Sequence, residues 1–178
     1  MADKKGRSGP ASITGLLAVV GALFAPPASA EPWTQPLDGL FQFGFDWQRA
    51  TLNGYPRPED PETVYFAFRS NCTPMGCAAN GIAVDANRTT RYPTYKVNFN
   101  FNYATGSWES NDPREVNCPD GYQSTPGYVR MRLQPLQDGS LHGEYAVDYN
   151  QPCPGVKTAP VSAWRIGDFP PGVSLDAW

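Results

Sequence analysis

The clearest pattern in the chain is YKVNFNFNY at residues 95–103, in which apolar or aromatic residues alternate with lysine or asparagine. Successive side chains of a β-strand point to opposite faces of a sheet, so this period of two places every ring on one face. A second stretch, FQFGFDWQ at residues 41–48, repeats the alternation with four aromatic residues. Both stretches predict half-buried strands of an antiparallel sheet.

Further alternating runs occur near residues 64–68, 129–133, 145–149 and 161–166, and segments rich in glycine or proline separate them. Seven or eight sequential strands joined by mostly short turns are typical of an antiparallel meander. The sequence therefore predicts an all-β fold whose meander is barrel-like. A β-sandwich is the alternative, because the same meander also folds over into two packed sheets.

The parity of the apolar positions predicts the register of one hairpin. Residues 129–133 and 145–149 both have their apolar side chains at odd positions. A two-residue turn between the two strands would put the apolar side chains of one strand on the same face of the sheet as the polar side chains of the other. A three-residue loop at 137–139, with its glycine in the left-handed conformation, keeps both sets on one face and places Arg132 opposite Glu144.

The first thirty residues have the order of an export signal. Three basic residues precede an apolar run at 13–24, and small residues at 28–30 follow two prolines. The apolar run is shorter than the roughly 20 residues of a membrane-spanning helix. We predict that residues 1–30 are a secretory signal, and that residues 31–178 form a single secreted domain without a membrane anchor and with an irregular tail from about 167.

The chain is weakly acidic, with a formal net charge of −3. Removing the three basic residues and one acidic residue of the first thirty changes this charge to −5. The remaining basic residues are not clustered, which excludes the footprint of a nucleic-acid partner or of an anionic membrane surface.

All four cysteines, Cys72, Cys77, Cys118 and Cys153, follow the predicted signal. An even number in an exported chain favours disulfides, and four cysteines allow three connectivities. Their spacing is too loose for a closed zinc site. We predict the pairs 72–77 and 118–153, because the second pair brackets the hairpin above. Chain entropy gives the two loops about 2 and about 4 kcal/mol of stabilisation.

Several structural motifs occur in order along the chain: Ser70-x-Cys72-x4-Cys77, Phe101-x-Tyr103-x2-Gly106-x-Trp108, Cys118-x-Asp120-Gly121 and Asp138-Gly139-x-Leu141-x-Gly143. Through them, the chain from about residue 40 to 166 resembles a group of small mycobacterial secreted proteins of unknown function. It is similar as well to extracellular parts of actinobacterial proteins, some attached to serine/threonine kinases. The resemblance implies a compartment and a scaffold, and it carries over no active site.

The residues that general acid–base or nucleophilic chemistry needs are sparse. His142 is the only histidine, and its place in the alternation puts it on the polar face of a strand. Ser140 is close in sequence, but the run GSLHG follows a turn and does not form a nucleophile elbow. We therefore expect neither a catalytic set nor an enzyme.

Two groups of carboxylates are the candidate metal ligands: Glu59, Asp60 and Glu62, and then Asp112, Glu115 and Asp120. Neither group has the closely spaced oxygen ligands of a calcium loop. The simpler interpretation is a solvated loop, so we expect no metal and no cofactor. A pair of carboxylates distant in sequence, as in glycosidases, is not favoured by any pattern.

The aromatic stripe of residues 41–48 has two interpretations. Phe41, Phe43, Phe45 and Trp47 are explained most simply as the hydrophobic core of a half-buried sheet. The sharper hypothesis is that they line a cavity inside a barrel that holds a lipid or another apolar ligand. Such a cavity should measure at least about 300 Å³.

The sequence thus favours a secreted, disulfide-stabilised, non-enzymatic β-domain that acts by binding at the cell envelope or beyond it. A carrier of an apolar small molecule is the alternative. A hydrolase that uses scattered carboxylates, or Ser140 with His142, is the third hypothesis.

Overall fold

The computed structural model describes residues 35–85, 87 and 91–175, the side chains of residues 91–94 excepted. The predicted export signal at residues 1–30 lies outside this range. The described strands are β1 (Gly39–Phe45), β2 (Thr51–Leu52), β3 (Tyr55–Pro56), β4 (Glu62–Thr73), β5 (Gly76–Val84), β6 (Arg91–Asn102), β7 (Ser107–Asn117), β8 (Ser124–Pro135), β9 (Leu141–Tyr149) and β10 (Gly155–Gly167). Within these residues, no helix has the length and apolar character to cross a bilayer.

The strands form an antiparallel barrel, which confirms the predicted fold class. Strand β1 pairs with β4 on one side and with β10 on the other, and β4 to β10 follow each other around the barrel in sequence order. This double pairing of β1 closes the sheet and decides for the barrel against the sandwich. The short strands β2 and β3 extend the sheet beside the first half of β10.

Rings from neighbouring strands fill the barrel. Phe43 packs edge-on against Phe66, with ring centroids 5.0 Å apart, and Phe41 packs in the same way against Phe68 at 5.8 Å. Gly81 is opposite Phe68 in the sheet, and a Cβ atom there would lie 2.2 Å from the ring. A glycine is therefore required where the ring of Phe68 covers the backbone.

One end of the barrel, which we name the closed end, is plugged by the segment before β1. Leu37 is fully buried beside Leu133 and Leu141. The indole Nε1 of Trp108 donates to the carbonyl of Gln35 at 3.0 Å, and the Gln35 Nε2 donates to the carbonyl of Gly139 at 2.9 Å. These bonds fix the plug, because they satisfy polar groups that would otherwise be buried without a partner.

At the opposite end, which we name the open end, β6 and β7 separate. In the described part of the chain the two strands pair only over Asn100–Asn102 and Ser107–Glu109. Beyond this point, β6 stays with β5 and β7 stays with β8. Pro113 of β7 has no N–H to offer a neighbouring strand, and the Arg114 Nη2 donates across the gap to the carbonyl of Lys96 at 3.2 Å.

The hairpin of β8 and β9 has the predicted register. Arg132 pairs with Glu144, and Gly139 has a left-handed φ of +84° in the connecting loop. The predicted connectivity of the cysteines is also confirmed, with Cys72 joined to Cys77 and Cys118 joined to Cys153. The second bridge ties the loop after β7 to the loop after β9, at the open end.

Candidate functional site

The separation of β6 from β7 leaves a cleft of about 1150 Å³ at the open end. Its walls come from strands β6 to β10, from the turn after β1, from the loop before β4 and from the first residue of β4. Its lining is aromatic, aliphatic and charged: Trp47, Glu59, Asp60, Glu62, Tyr95, Lys96, Asp112, Arg114, Glu115, Val116, Asn117, Val129, Tyr145, Val147, Tyr149 and Lys157. This mixture is typical of a ligand site, in which apolar surface gives affinity and a few polar groups give orientation.

The floor of the cleft is built from aromatic rings that rest on the core. Tyr145 packs edge-on against both Phe45 and Trp47, with centroid distances of 5.2 and 5.4 Å. Phe45 and Trp47 are stacked at 5.8 Å. Since Phe45 is almost completely buried, the core holds Trp47 and Tyr145 in place.

A polar network surrounds Trp47. Its Nε1 donates to the Glu62 carboxylate at 3.2 Å, and the Lys157 ammonium lies 4.4 Å from the ring centroid. The same Lys157 Nζ is 2.6 Å from an oxygen of Glu59, and the lysine side chain is only 14% exposed. The network fixes the indole and the loop before β4 together, and such charge-assisted contacts lose strength in high salt.

A second network lies on the β7 side of the cleft. The Arg114 guanidinium forms an ion pair with Asp112, donates to the Lys96 carbonyl and lies 5.8 Å from the Tyr95 ring centroid. Asp112 and Arg114 are separated from Trp108 by an even number of positions along β7. Their side chains therefore belong to the same inner face of the barrel as the Trp108 ring. Their position explains why this face is polar at the open end and apolar at the closed end.

Two tyrosines of β9 contribute neutral hydroxyls to the cleft. Burial raises the pKa of Tyr145 well above its usual range, and burial together with the nearby Glu59 carboxylate raises the pKa of Tyr149. Tyr149 is 8% exposed, and no hydrogen-bond partner for its hydroxyl is found among the described residues. Both hydroxyls therefore keep their protons at physiological pH and are available for hydrogen bonds.

The predicted lining residues divide into two pairs. Phe41 and Phe43 are fully buried members of the packed core, in keeping with the simpler of the two interpretations of the stripe. Phe45 and Trp47 border an inner void of about 60 Å³ below the cleft, which is far less than the roughly 300 Å³ that a ligand pocket needs. The stripe supplies core, and only its last member, Trp47, reaches the cleft.

The other sequence candidates lie in different places. His142 is exposed on the outer face of β9, and the Ser140 hydroxyl donates to Asp138 at 2.6 Å. The two acidic groups converge on the cleft, with the exception of Asp120, which accepts from the backbone N–H of Tyr122. In the part of the chain that the structure describes, no three acidic, histidine or cysteine side chains are close enough to hold a metal ion.

The sequence prediction missed Tyr145, Tyr149, Arg114 and Lys157 as cleft residues. A signal was present in β7, because Asp112 and Arg114 carry charge at positions whose parity points inward. Charged residues on an inner face indicate that water reaches this end of the barrel.

Comparison with known proteins places the chain among kinase sensor domains. Residues 34–177 match the family described as the PknI serine/threonine-protein kinase sensor domain. The kinases PknI of Mycobacterium bovis and of Mycobacterium tuberculosis are each 32% identical to the chain over 151 residues, which cover 79% of this chain and 26% of each kinase. The chain thus spans about a quarter of the length of these relatives.

Two solved structures have a similar fold. The monomer form of the M. tuberculosis PknI sensor domain has a TM-score of 0.68 and 28% sequence identity, with coverage of 80% of this chain and 95% of that chain. The dimer form of the same sensor domain has a TM-score of 0.54 and 30% identity, with coverage of 67% and 80%.

Proposed function

The chain belongs to the family of PknI serine/threonine-protein kinase sensor domains, and from that premise we propose that it is a non-enzymatic binding domain. Its ligand site is the cleft at the open end. The observation that supports this proposal is the difference between the filled interior of the barrel and its open end. Rings fill the interior elsewhere, whereas the separation of β6 from β7 leaves about 1150 Å³ lined by aromatic and charged side chains.

Two observations support a function in binding and not in catalysis. The family is that of a sensor domain and not of a kinase catalytic domain. In addition, Ser140 is engaged with Asp138, and His142 is exposed on the outer face of its strand. A nucleophile needs a base within hydrogen-bond reach, and this pair does not provide one.

The compartment is part of the proposal. Residues 1–30 serve as a secretory signal, and the single domain of residues 31–178 acts outside the cytoplasm, in the medium or at the cell envelope. The two disulfides support this location, because such bonds persist in oxidising compartments and are rare in the cytosol.

A carrier of a lipid or another apolar molecule is the weaker alternative. It needs a dry cavity inside the barrel, and the inner void next to Phe45 measures about 60 Å³. A lipid chain would have to displace core rings, at a cost of several kcal/mol for each large side chain removed from its packing.

The proposal is tested by blocking the cleft in the secreted protein recovered from culture medium. Val116 is half-buried and lines the cleft from the inner face of β7, so Val116→Trp places a large ring in it. Asn111→Trp, at an exposed position of the same strand on the outer face, is the matched control. Fractions of the native culture medium are added, and the melting temperature is measured.

A ligand present at about 100 times its Kd stabilises the folded protein by about 2.7 kcal/mol, which raises the melting temperature by several degrees. We expect this rise for the wild type and for Asn111→Trp, and its loss in Val116→Trp. An equal rise in all three proteins would place the binding outside the cleft and contradict the proposal.

A further inference from the structure

The charges around the cleft are unequal in number. Five carboxylates line it, against three cationic side chains. Lys157 is paired with Glu59 and Arg114 is paired with Asp112. The lining therefore keeps an excess of negative charge, and a cleft with low-dielectric walls concentrates the field of such an excess.

The remaining carboxylates are those that could meet a ligand. Asp60 and Glu115 take part in no ion pair among the described residues, and Glu62 accepts a hydrogen bond from the neutral indole of Trp47. Glu62 also lies close enough to Tyr145 to help raise its pKa. Negative charge is thus available beside the aromatic floor of the cleft.

The aromatic side chains give the second, independent observation. Tyr149 is more than nine-tenths buried, it lines the cleft, and the described residues supply no partner for its hydroxyl. Tyr95 is 47% exposed, so much of its ring is accessible at the rim. The faces of aromatic rings attract cations, and an ammonium group can donate to a tyrosine oxygen as well as to a carboxylate.

We propose that the ligand of this cleft is a small organic cation, in which an ammonium or guanidinium group is attached to a ring or a short apolar body. The inference rests on the proposed function, since it uses the same cleft. The cationic group lies between Glu62, Asp60 and the Tyr149 hydroxyl, and the apolar body covers Tyr145 and Val147. An anionic ligand would have to compete with Glu59 and Asp112 for the cations that they already hold.

Three compounds with the same ring and different charges test the inference. Tryptamine is a cation, indole-3-acetamide is neutral and indole-3-acetate is an anion. Each is titrated into the full chain by calorimetry at low salt and by two-dimensional amide NMR. We expect tryptamine to bind at least about tenfold more tightly than indole-3-acetate, with shifts at the Trp47 indole N–H and the amides of β9.

Variants assign the charge preference to the cleft. Exposed ion pairs contribute about 0.2–1 kcal/mol, so Glu62→Gln and Asp60→Asn should each weaken tryptamine binding by up to about fivefold. Neither substitution should change the binding of the neutral amide. Glu144→Gln, at an exposed position on the outer face of β9, is the control and should leave both affinities unchanged.

The outcomes separate the two proposals. Binding of the neutral or anionic compound in the cleft, equal to that of tryptamine or tighter, would overturn the cationic class and leave the binding function standing. Unchanged tryptamine affinity in Glu62→Gln and Asp60→Asn would also overturn it. If no compound binds at millimolar concentration, the inference falls, and the Val116→Trp experiment then decides the binding function alone.

Discussion

The two ends of the barrel contrast in what fills them. At the closed end, Trp108, Leu37, Leu133 and Leu141 are fully buried, and hydrogen bonds to Gln35 seal the plug. At the open end, half-buried rings and ion pairs surround a cleft. The contrast places the tighter packing at the closed end and, on the proposed function, recognition at the open end. It also implies that the cleft can be altered at a small cost in stability.

Strand β7 shows how one element serves both ends. Its inward positions run from Trp108 through Ser110 to Asp112 and Arg114, so the same face changes from apolar to charged within six residues. The change begins where the pairing with β6 ends at Glu109. The inner face of β7 therefore becomes polar at the point where the strand no longer pairs with β6.

The largest expected effect comes from removing the ring at the closed end. Trp108→Ala should lower the free energy of unfolding by about 3–5 kcal/mol, because it leaves a large cavity and an unpartnered carbonyl at Gln35. Trp47→Ala, at the open end, should cost about 1–2 kcal/mol, since this ring is only half buried. Urea unfolding measures both. Equal losses would contradict the tighter packing at the closed end.

The bridge between Cys118 and Cys153 is the covalent support of the open end. Replacing both cysteines by alanine should cost up to about 4 kcal/mol, because the bridge closes a loop with a sequence separation of 35 residues. The matched pair is Cys72→Ala with Cys77→Ala, which opens a loop with a separation of 5 and should cost about 2 kcal/mol. A larger loss from the short loop in urea unfolding would reverse the expected order.

Alkaline pH should weaken the open end through Tyr145. Its pKa is raised by burial, so the folded state keeps a proton that the unfolded state loses above about pH 10. The contribution is complete below that pH and is lost as the pH rises, by up to about 1.4 kcal/mol per pH unit.

In unfolding measurements between pH 9 and pH 11, Tyr145→Phe should therefore show a shallower loss of stability than the wild type. Tyr122→Phe, at a tyrosine that is 91% exposed, is the control and should follow the wild-type curve. Identical curves for Tyr145→Phe and the wild type would show that Tyr145 does not contribute to the alkaline loss.

The smallest expected effect concerns Glu109, where the pairing of β6 with β7 ends. The hydrogen bond from Asn102, with those from Thr105 and Ser107, holds the pKa of Glu109 below its usual value. This stabilisation is present above about pH 4.5 and is lost as the pH falls through the lower pKa of the folded state. Because the side chain is 38% exposed, Glu109→Gln should cost less than about 1 kcal/mol at neutral pH.

As the pH is lowered towards 3, the difference in stability between the Glu109→Gln variant and the wild type should narrow, because protonation of Glu109 in the folded state removes its advantage over the neutral glutamine. Chemical unfolding at the two pH values measures the difference. A gap that widens on acidification would contradict the role of the carboxylate.

Local patterns predicted much of the fold. The alternation in β8 and β9, together with the glycine at 139, was enough to predict the register, because a shift by one residue would turn every apolar side chain to solvent. The partner of Arg132 was not predictable in the same way. It pairs across the strand with Glu144, yet its guanidinium lies 3.6 Å from Glu109 on the other neighbour, since a long side chain can reach either strand.

Most of the cleft could not be predicted from the sequence. The carboxylates near residue 60 and near residue 112 are far apart along the chain, and only closure of the barrel brings them together. The alternation that ends at Tyr103 continues through β6 without any sign of where its pairing with β7 stops. Pro113 was the available clue, because proline is confined to edges and bulges of sheets.

The plug at the closed end also sets a direction for the whole domain. The chain enters at Gln35, beside Trp108, and β10 finishes beside Leu40 at the start of β1. The segment before β1 and the end of β10 are therefore both on the side opposite the cleft. Neither segment narrows the mouth of the cleft, and the loops of the open end border the path of small molecules into it.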